Sequence, residues 1–391
     1  MPDDPQQISP GAIPLGLYIH LPWCVKKCPY CDFNSHRMRG ELPESDYVDA
    51  LLADLAWSAP QAGKRRISSI FFGGGTPSLF SAHAIGRILD AVASHLPLAA
   101  GCEVTLEANP GASEHGHFRA YRDAGVNRIS LGVQSLDDGC LQRLGRVHDA
   151  ATALAAIDAV QAAGFERMNC DLMFGLPEQT QALAAADVAG VIERAPGHIS
   201  YYQLTLEPGT PFHHRPPPRP DDDTLVDIFE RSATAMQRAG YRQYEVSAWA
   251  WPDAACRHNY NYWTFGDYLA IGAGAHAKLT TGDGRVIRSA RQRWPRAYMA
   301  TAGTPAMLSA SRQLDTTDRR FEFLLNGLRL KNGVSRTQYE TRTGLNWDTL
   351  ANHLTFVTPA DLICMDDTRL CASDHGWYYL DNILSQVLPD A

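Results

Sequence analysis

Long apolar runs are missing from this 391-residue chain. No stretch of about 18 uninterrupted apolar residues is present, so no bilayer-spanning helix is expected. A basic excess is missing too. With 35 Lys and Arg against 43 Asp and Glu, the formal charge is −8, which gives no global reason to bind nucleic acid or an anionic membrane. The start, Met1-Pro-Asp-Asp-Pro5, has neither the basic head nor the apolar run of a secretory signal. A disulfide framework is not indicated either. The nine cysteines are odd in number, and Cys102, Cys140, Cys170, Cys256, Cys364 and Cys371 are scattered, several of them in apolar runs where a buried reduced thiol is the plain reading. A reducing cytoplasm is therefore the expected location. Repeats and low-complexity segments are absent.

What is present is an ordinary globular composition, 45% apolar, in a chain too long for one core. Between residues 16 and 250, short apolar runs at 17–21, 67–72, 103–106, 128–133, 168–174 and 199–206 alternate with amphipathic stretches, such as Tyr47, Val48, Leu51, Leu52 and Leu55. Strand–helix alternation predicts an α/β fold with a parallel sheet and right-handed crossovers. Periodicity alone does not separate a partial six-unit barrel from an open doubly wound sheet. Polar residues at the C-terminal ends of several runs favour the barrel, because a βα barrel builds its site there. The proline-rich stretch 213–223 reads as a surface loop, its histidines decorating it. After Ala275 periodicity weakens through a glycine-rich stretch to about Gly303. Helices are then expected at 319–330, 335–343 and 347–357, with a hairpin over 362–380, a winged-helix-like arrangement. From 312 to 391 there are eight Lys/Arg against eleven Asp/Glu, which argues against a DNA-reading wing. The expected division is a tail at 1–16, the barrel at 17–250, a segment and linker at 251–311 and a small, mainly helical domain at 312–391.

Three cysteines, Cys24, Cys28 and Cys31, share one loop in a CxxxCxxC pattern. Zinc would want a fourth protein ligand, and no CxxC or HxxxH partner stands nearby. Three thiolates suit three irons of a [4Fe–4S] cube and leave one iron open. The obvious occupant of that iron is S-adenosylmethionine, held by its amino and carboxylate groups and cleaved reductively to a carbon radical.

Further candidates follow the predicted strands. Gly73-Gly74-Gly75-Thr76-Pro77 follows the second, where glycines permit close backbone approach; Gly74, Gly75 and Thr76 would contact the methionine part of the cofactor. Glu107 closes the third strand and Gln134 the fourth; Arg146 comes shortly after, and Asp171 lies in the fifth. A guanidinium suits the cofactor's carboxylate and a side-chain carboxylate its hydroxyls. Each alone would pass for a structural ion pair, but at successive strand ends they read as a pocket. Arg257-His258-Asn259-Tyr260-Asn261-Tyr262-Trp263 stands apart. It reads equally as a packed edge and as a haem site, since haem iron takes axial histidine.

Seven motifs, YIHLPWC..KCPYCDF, FFGGGTPS, LEANP, RISLGVQS, LGRVH, DLMFGLPEQT and YEVS…HNYNYW…LAIGAGAH, run from Leu17 to about His276. In that order they resemble the radical S-adenosylmethionine proteins of the oxygen-independent coproporphyrinogen III oxidase family. The true oxidases carry a fourth cysteine two residues after the third and a long N-terminal extension. Here Phe33 holds that position, and only 23 residues precede Cys24. Both departures point to the other branch, the HemW-type haem chaperones, which are similar in fold and cluster but bind haem and pass it to haem-requiring proteins such as respiratory enzymes. The oxidase activity, radical oxidative decarboxylation of coproporphyrinogen III, is the alternative. The resemblance implies a partial (β/α)6 barrel of TIM type, a [4Fe–4S] cluster on Cys24, Cys28 and Cys31, and S-adenosylmethionine on Tyr18, Gly74, Gly75, Thr76, Glu107, Gln134, Arg146 and Asp171. It tips the HNxxY segment toward haem, through His258, Asn259 and Tyr262. Haem and its acceptor proteins are the implied partners, without nucleic acid and with at most transient membrane association through a partner. No catalytic residue is assigned.

Overall fold

The computed structural model describes residues 7–111, 117–359 and 361–388; the acidic start at 1–5 lies outside them. Six parallel strands form its centre: β1 (Leu15–Leu21), β2 (Ile67–Gly74), β3 (Leu98–Ala108), β4 (Arg128–Gln134), β5 (Arg167–Phe174) and β6 (Gly197–Gln203). They pair in chain order, as the apolar runs predict. Their residues are buried on both faces, most fully in β4, because helices cover one side and the interior fills the other. Helices α1 (Glu44–Ser58), α2 (Ala82–His95), α3 (Phe118–Asp123), α4 (Ala150–Ala162), α5 (Gln181–Ile192) and α6 (Asp222–Arg238) provide the cover. Ser81, Asp149, Thr180 and Asp221 cap four of these N-termini through side-chain oxygens. Along α2, Ala84, Ile85, Ile88 and Val92 form the buried stripe.

Among the described residues the sheet does not close into a ring. Twelve strands run from Leu308–Gln313 at one edge to Arg242–Gln243 at the other. The six parallel strands nevertheless curve into a partial barrel, because the loop after β1 meets the chain beyond β6, where the Phe212 N–H donates to the Pro29 carbonyl at 3.1 Å. Strand β7 (Ala248–Ala250) returns antiparallel on β6. The short helix α7 (Arg257–Trp263) then packs into the barrel, its His258 N–H donating to Glu103 on β3.

The stretch read as a glycine-rich linker is instead ordered sheet. β8 (Asp267–Ile271) pairs parallel to β1, and β9 (His276–Thr280), β10 (Val286–Arg291) and β11 (Leu308–Gln313) extend it antiparallel. A buried ion pair pins this extension: Lys278 donates to Asp267 at 2.9 Å, and Arg65 reaches the other carboxylate oxygen at 2.6 Å.

The C-terminal helices fall where expected, with one shift. α8 spans Thr316–Gly327 rather than 319–330, because Asp315 and Asp318 form a capping box that starts it early. α9 (Arg336–Thr343) begins after the cap Ser335 and stops at Gly344, whose φ of 68° is left-handed. α10 covers Trp347–Val357. The hairpin is shorter than predicted, Ile363–Met365 against Arg369–Ala372, with Val334–Ser335 as a third strand. A final helix, α11 (Leu380–Gln386), occupies part of the rest. A second apolar core, including Phe323, Leu324, Trp347 and Leu350, joins this region to Ile13, Phe265 and Val286 of the barrel part.

Candidate functional site

The strand ends and the cysteine loop surround one cavity of about 700 Å³. The loop leaves β1 through Pro22 and is clasped at its base, where Trp23–Cys24 pairs with His36–Arg37. Trp23 packs edge-on against Tyr47 at 4.7 Å, fixing the first cysteine. Cys24, Cys28 and Cys31 all line the cavity. Among the described residues no three Cys, His, Asp or Glu side chains are placed to share one metal ion. A four-iron cube gives each thiolate its own iron, so it asks for a ring of sulfurs around a cavity rather than convergence on one point. Burial raises the thiol pKa of Cys24 and Cys31, so binding iron there displaces protons.

Gly74, Gly75, Thr76, Glu107, Gln134, Arg146 and Asp171 line the same cavity. Tyr18 does not. It stands behind the wall, where a Cβ on Gly73 would meet its ring at 3.0 Å and Glu107 at 3.2 Å, and its hydroxyl pairs with His20 Nδ1 at 2.9 Å. Gln134 holds a φ of 70°, left-handed for a residue other than glycine, and its Oε1 accepts from Tyr202 at 2.7 Å. Arg146 donates to Asn109 at 2.6 Å and to the Gly132 carbonyl at 2.9 Å; another N–H lies 3.7 Å from Cys28 Sγ, and its Nε has no acceptor among the described residues. Asn109 also donates to Thr76 Oγ1 at 2.9 Å. Sequence reasoning missed Asn109 and Tyr202; Asn109 stood beside Glu107 in the LEANP run, whereas Tyr202 carried no signal.

The glycine run makes a further contact, to the backbone of the cysteine loop. Thr76 N–H donates to Trp23 O at 2.7 Å and Gly75 N–H to Leu21 O at 2.8 Å. A Cβ on Gly75 would come within 2.4 Å of the Trp23 carbonyl oxygen. That atom is backbone and cannot swing aside, so Gly75 is needed to seat the cysteine loop. A Gly75→Ala chain is therefore expected to lose most of its cluster after anaerobic reconstitution, read by iron and sulfide content, rather than to lose cofactor affinity alone.

Charge in the cavity suits the cofactor. Burial pushes the Glu107 pKa up to about 8, with Asp171 adding to the effect, and burial raises Asp171 as well. Two desolvated carboxylates ask for a cation, which the sulfonium supplies, and an amino group on iron still offers them N–H donors. Arg146, with its free Nε, suits the carboxylate of the same molecule. The residues therefore fit S-adenosylmethionine. Since only ionised Glu107 attracts a cation, affinity for S-adenosylmethionine is expected to rise with pH, by up to about tenfold per unit, and to level off above about 8. Calorimetry from pH 6 to 9 checks this, and a Glu107→Gln chain should lose the slope.

The HNxxY residues lie outside this cavity. His258 is 1% exposed, with Nδ1 2.9 Å from Ser69 Oγ and Nε2 2.8 Å from the Tyr262 hydroxyl. Its ring stacks on Phe71 at 5.1 Å. This packed setting arises because α7 turns the ring into the barrel. Burial lowers its pKa to about 3, so it is neutral. Trp263, at the end of the same helix, does line the cavity.

Comparison with known proteins places this geometry. Residues 18–186 match the Radical SAM superfamily, and residues 314–379 match the HemN C-terminal domain. The protein named Heme chaperone HemW from Escherichia coli K12 is 46% identical, covering 96% of this chain and 99% of its own. The chain belongs to the HemW family of radical SAM proteins. A second HemW, from Haemophilus influenzae, is 44% identical over 97% of this chain and all of its own. The structure of coproporphyrinogen III oxidase, HemN, from Escherichia coli superposes with a TM-score of 0.81, covering 96% of this chain and 90% of that one at 23% identity, a likeness of fold. Membership of the superfamily brings S-adenosylmethionine and a [4Fe–4S] cluster as cofactors. No described helix is long and apolar enough to cross a membrane.

Proposed function

We propose that this chain is a cytoplasmic haem chaperone, which takes up haem and delivers it to haem-requiring proteins such as respiratory enzymes. The observation that carries the reading is whole-length similarity to proteins named as haem chaperones, 46% identical over 99% of one of them. Phe33, 61% exposed in the cysteine loop where the oxidases place a further cysteine, supports the same branch. Cys24, Cys28 and Cys31 hold the cluster in this reading. Gly74, Gly75, Thr76, Glu107, Gln134, Arg146 and Asp171 form the S-adenosylmethionine pocket, with Tyr18 supporting its wall. His258, Asn259 and Tyr262 engage haem. The neutral His258 imidazole is the form that ligates iron, and it becomes available when Tyr262 releases Nε2. No nucleic acid takes part, and membrane contact occurs only through an acceptor. Titrating haem into the reconstituted chain, alongside incubation with coproporphyrinogen III, S-adenosylmethionine and reductant, tests the reading. Haem binding without protoporphyrinogen supports it; multiple turnovers would overturn it in favour of the oxidase.

A further inference from the structure

One wall of the cavity carries donors that lack acceptors. Trp263, from the end of α7, and Arg329, from the turn after α8, both line it. Neither element contributes to the cysteine ring, the glycine run or the carboxylate pair. The Arg329 guanidinium lies over the Trp263 ring, 4.3 Å from its centre. One guanidinium nitrogen donates to Glu245 Oε2 at 3.1 Å, while Arg329 Nε and Trp263 Nε1 are buried with no acceptor among the described residues. Buried donors in native structures are nearly always paired, so two beside each other in one cavity wall call for an acceptor from outside the chain.

The wall is held in place. Val246 N–H donates to the Arg329 carbonyl at 3.1 Å, and Lys331 N–H to the Tyr244 carbonyl at 2.9 Å, so backbone bonds on both sides stitch Arg329 to the barrel. Glu245 is 3% exposed and uses its other oxygen on the Ser247 N–H and hydroxyl. It therefore anchors one edge of the guanidinium and leaves the rest of the fork for an incoming group. A fork of parallel N–H donors matches a carboxylate, and the indole offers a flat face with one more N–H.

We infer that Trp263 and Arg329 seat the carboxylate-bearing edge of a planar cargo, which, resting on the haem reading above, is a haem propionate.

The test compares haem with haem dimethyl ester, whose carboxylates are capped, by absorbance titration of the full chain with its cluster. The wild type should bind the ester about tenfold more weakly than haem, a result that needs no variant. An Arg329→Leu chain with wild-type cluster content should bind haem about tenfold more weakly and no longer distinguish it from the ester. Equal binding of haem and ester by the wild type, or undiminished discrimination in Arg329→Leu, overturns the inference while leaving the chaperone reading intact. If the wild type binds neither ligand, both fall.

Discussion

Cys28→Ser, reconstituted anaerobically, is expected to hold less than about one-tenth of the wild-type iron and sulfide, against about four of each per chain in the parent. Serine keeps the size of the side chain but removes the soft ligand. Cys28 also lies 3.7 Å from the Arg146 guanidinium, at the wall of the cavity. Two remaining thiolates in an open cavity cannot hold the cube against solvent. S-adenosylmethionine affinity should fall with the cluster, because the open iron is lost, while the melting temperature of the cluster-free forms stays the same for mutant and parent. A full complement of iron in Cys28→Ser would refute the ligand assignment.

His258→Ala should abolish haem binding or weaken it at least about tenfold, a loss of roughly 1.4 kcal/mol or more. The position of His258 complicates that result. Its removal strips Ser69 and Tyr262 of a partner and opens space beside Phe71, so stability should fall by roughly 2–4 kcal/mol for structural reasons alone. Tyr262→Phe separates the two effects. It removes the hydroxyl that occupies Nε2 and keeps the ring packed on Tyr268, 4.4 Å away. If His258 binds iron, Tyr262→Phe should bind haem as well as the wild type or better. If Tyr262→Phe and His258→Ala lose haem binding to the same extent, the histidine is only part of a packed network. Melting curves of both chains, taken with the titrations, complete the comparison.

The parallel strands were legible because each is apolar on both faces, and their order followed from the alternation with helices. The strands at 276–313 were not. β11 is exposed along nearly its whole length, and β10 is half-buried at three consecutive positions, so neither shows the period-two pattern that marks a strand. The start of α8 was missed because its capping box depends on two acidic residues that also read as loop. Seven of the eight residues named for the cofactor do line the cavity, since polar side chains at strand ends are visible as interruptions of apolar runs. What they touch was less visible. Gly75 lines the cavity as expected, and it also packs against the Trp23 backbone, a contact between loops that sequence spacing does not encode. Arg329 was invisible for the same reason, because the C-terminal region brings it to a wall that the barrel leaves open. The aromatic neighbours of His258 read equally as a packed edge and as a haem site, and among them Phe71 and Tyr262 form the packing that buries it.

Haem transfer is the most direct measure of the chaperone reading. The full chain, reconstituted with its cluster and loaded with one equivalent of haem, is mixed anaerobically with the haem-free form of a respiratory cytochrome, and the acceptor is separated and its Soret band recorded. The expected result is an acceptor that gains haem and activity faster from the loaded chain than from free haem at the same concentration, while the chain returns to its haem-free spectrum. A chain that retains its haem, or transfers it no faster than free haem, would contradict the proposed function.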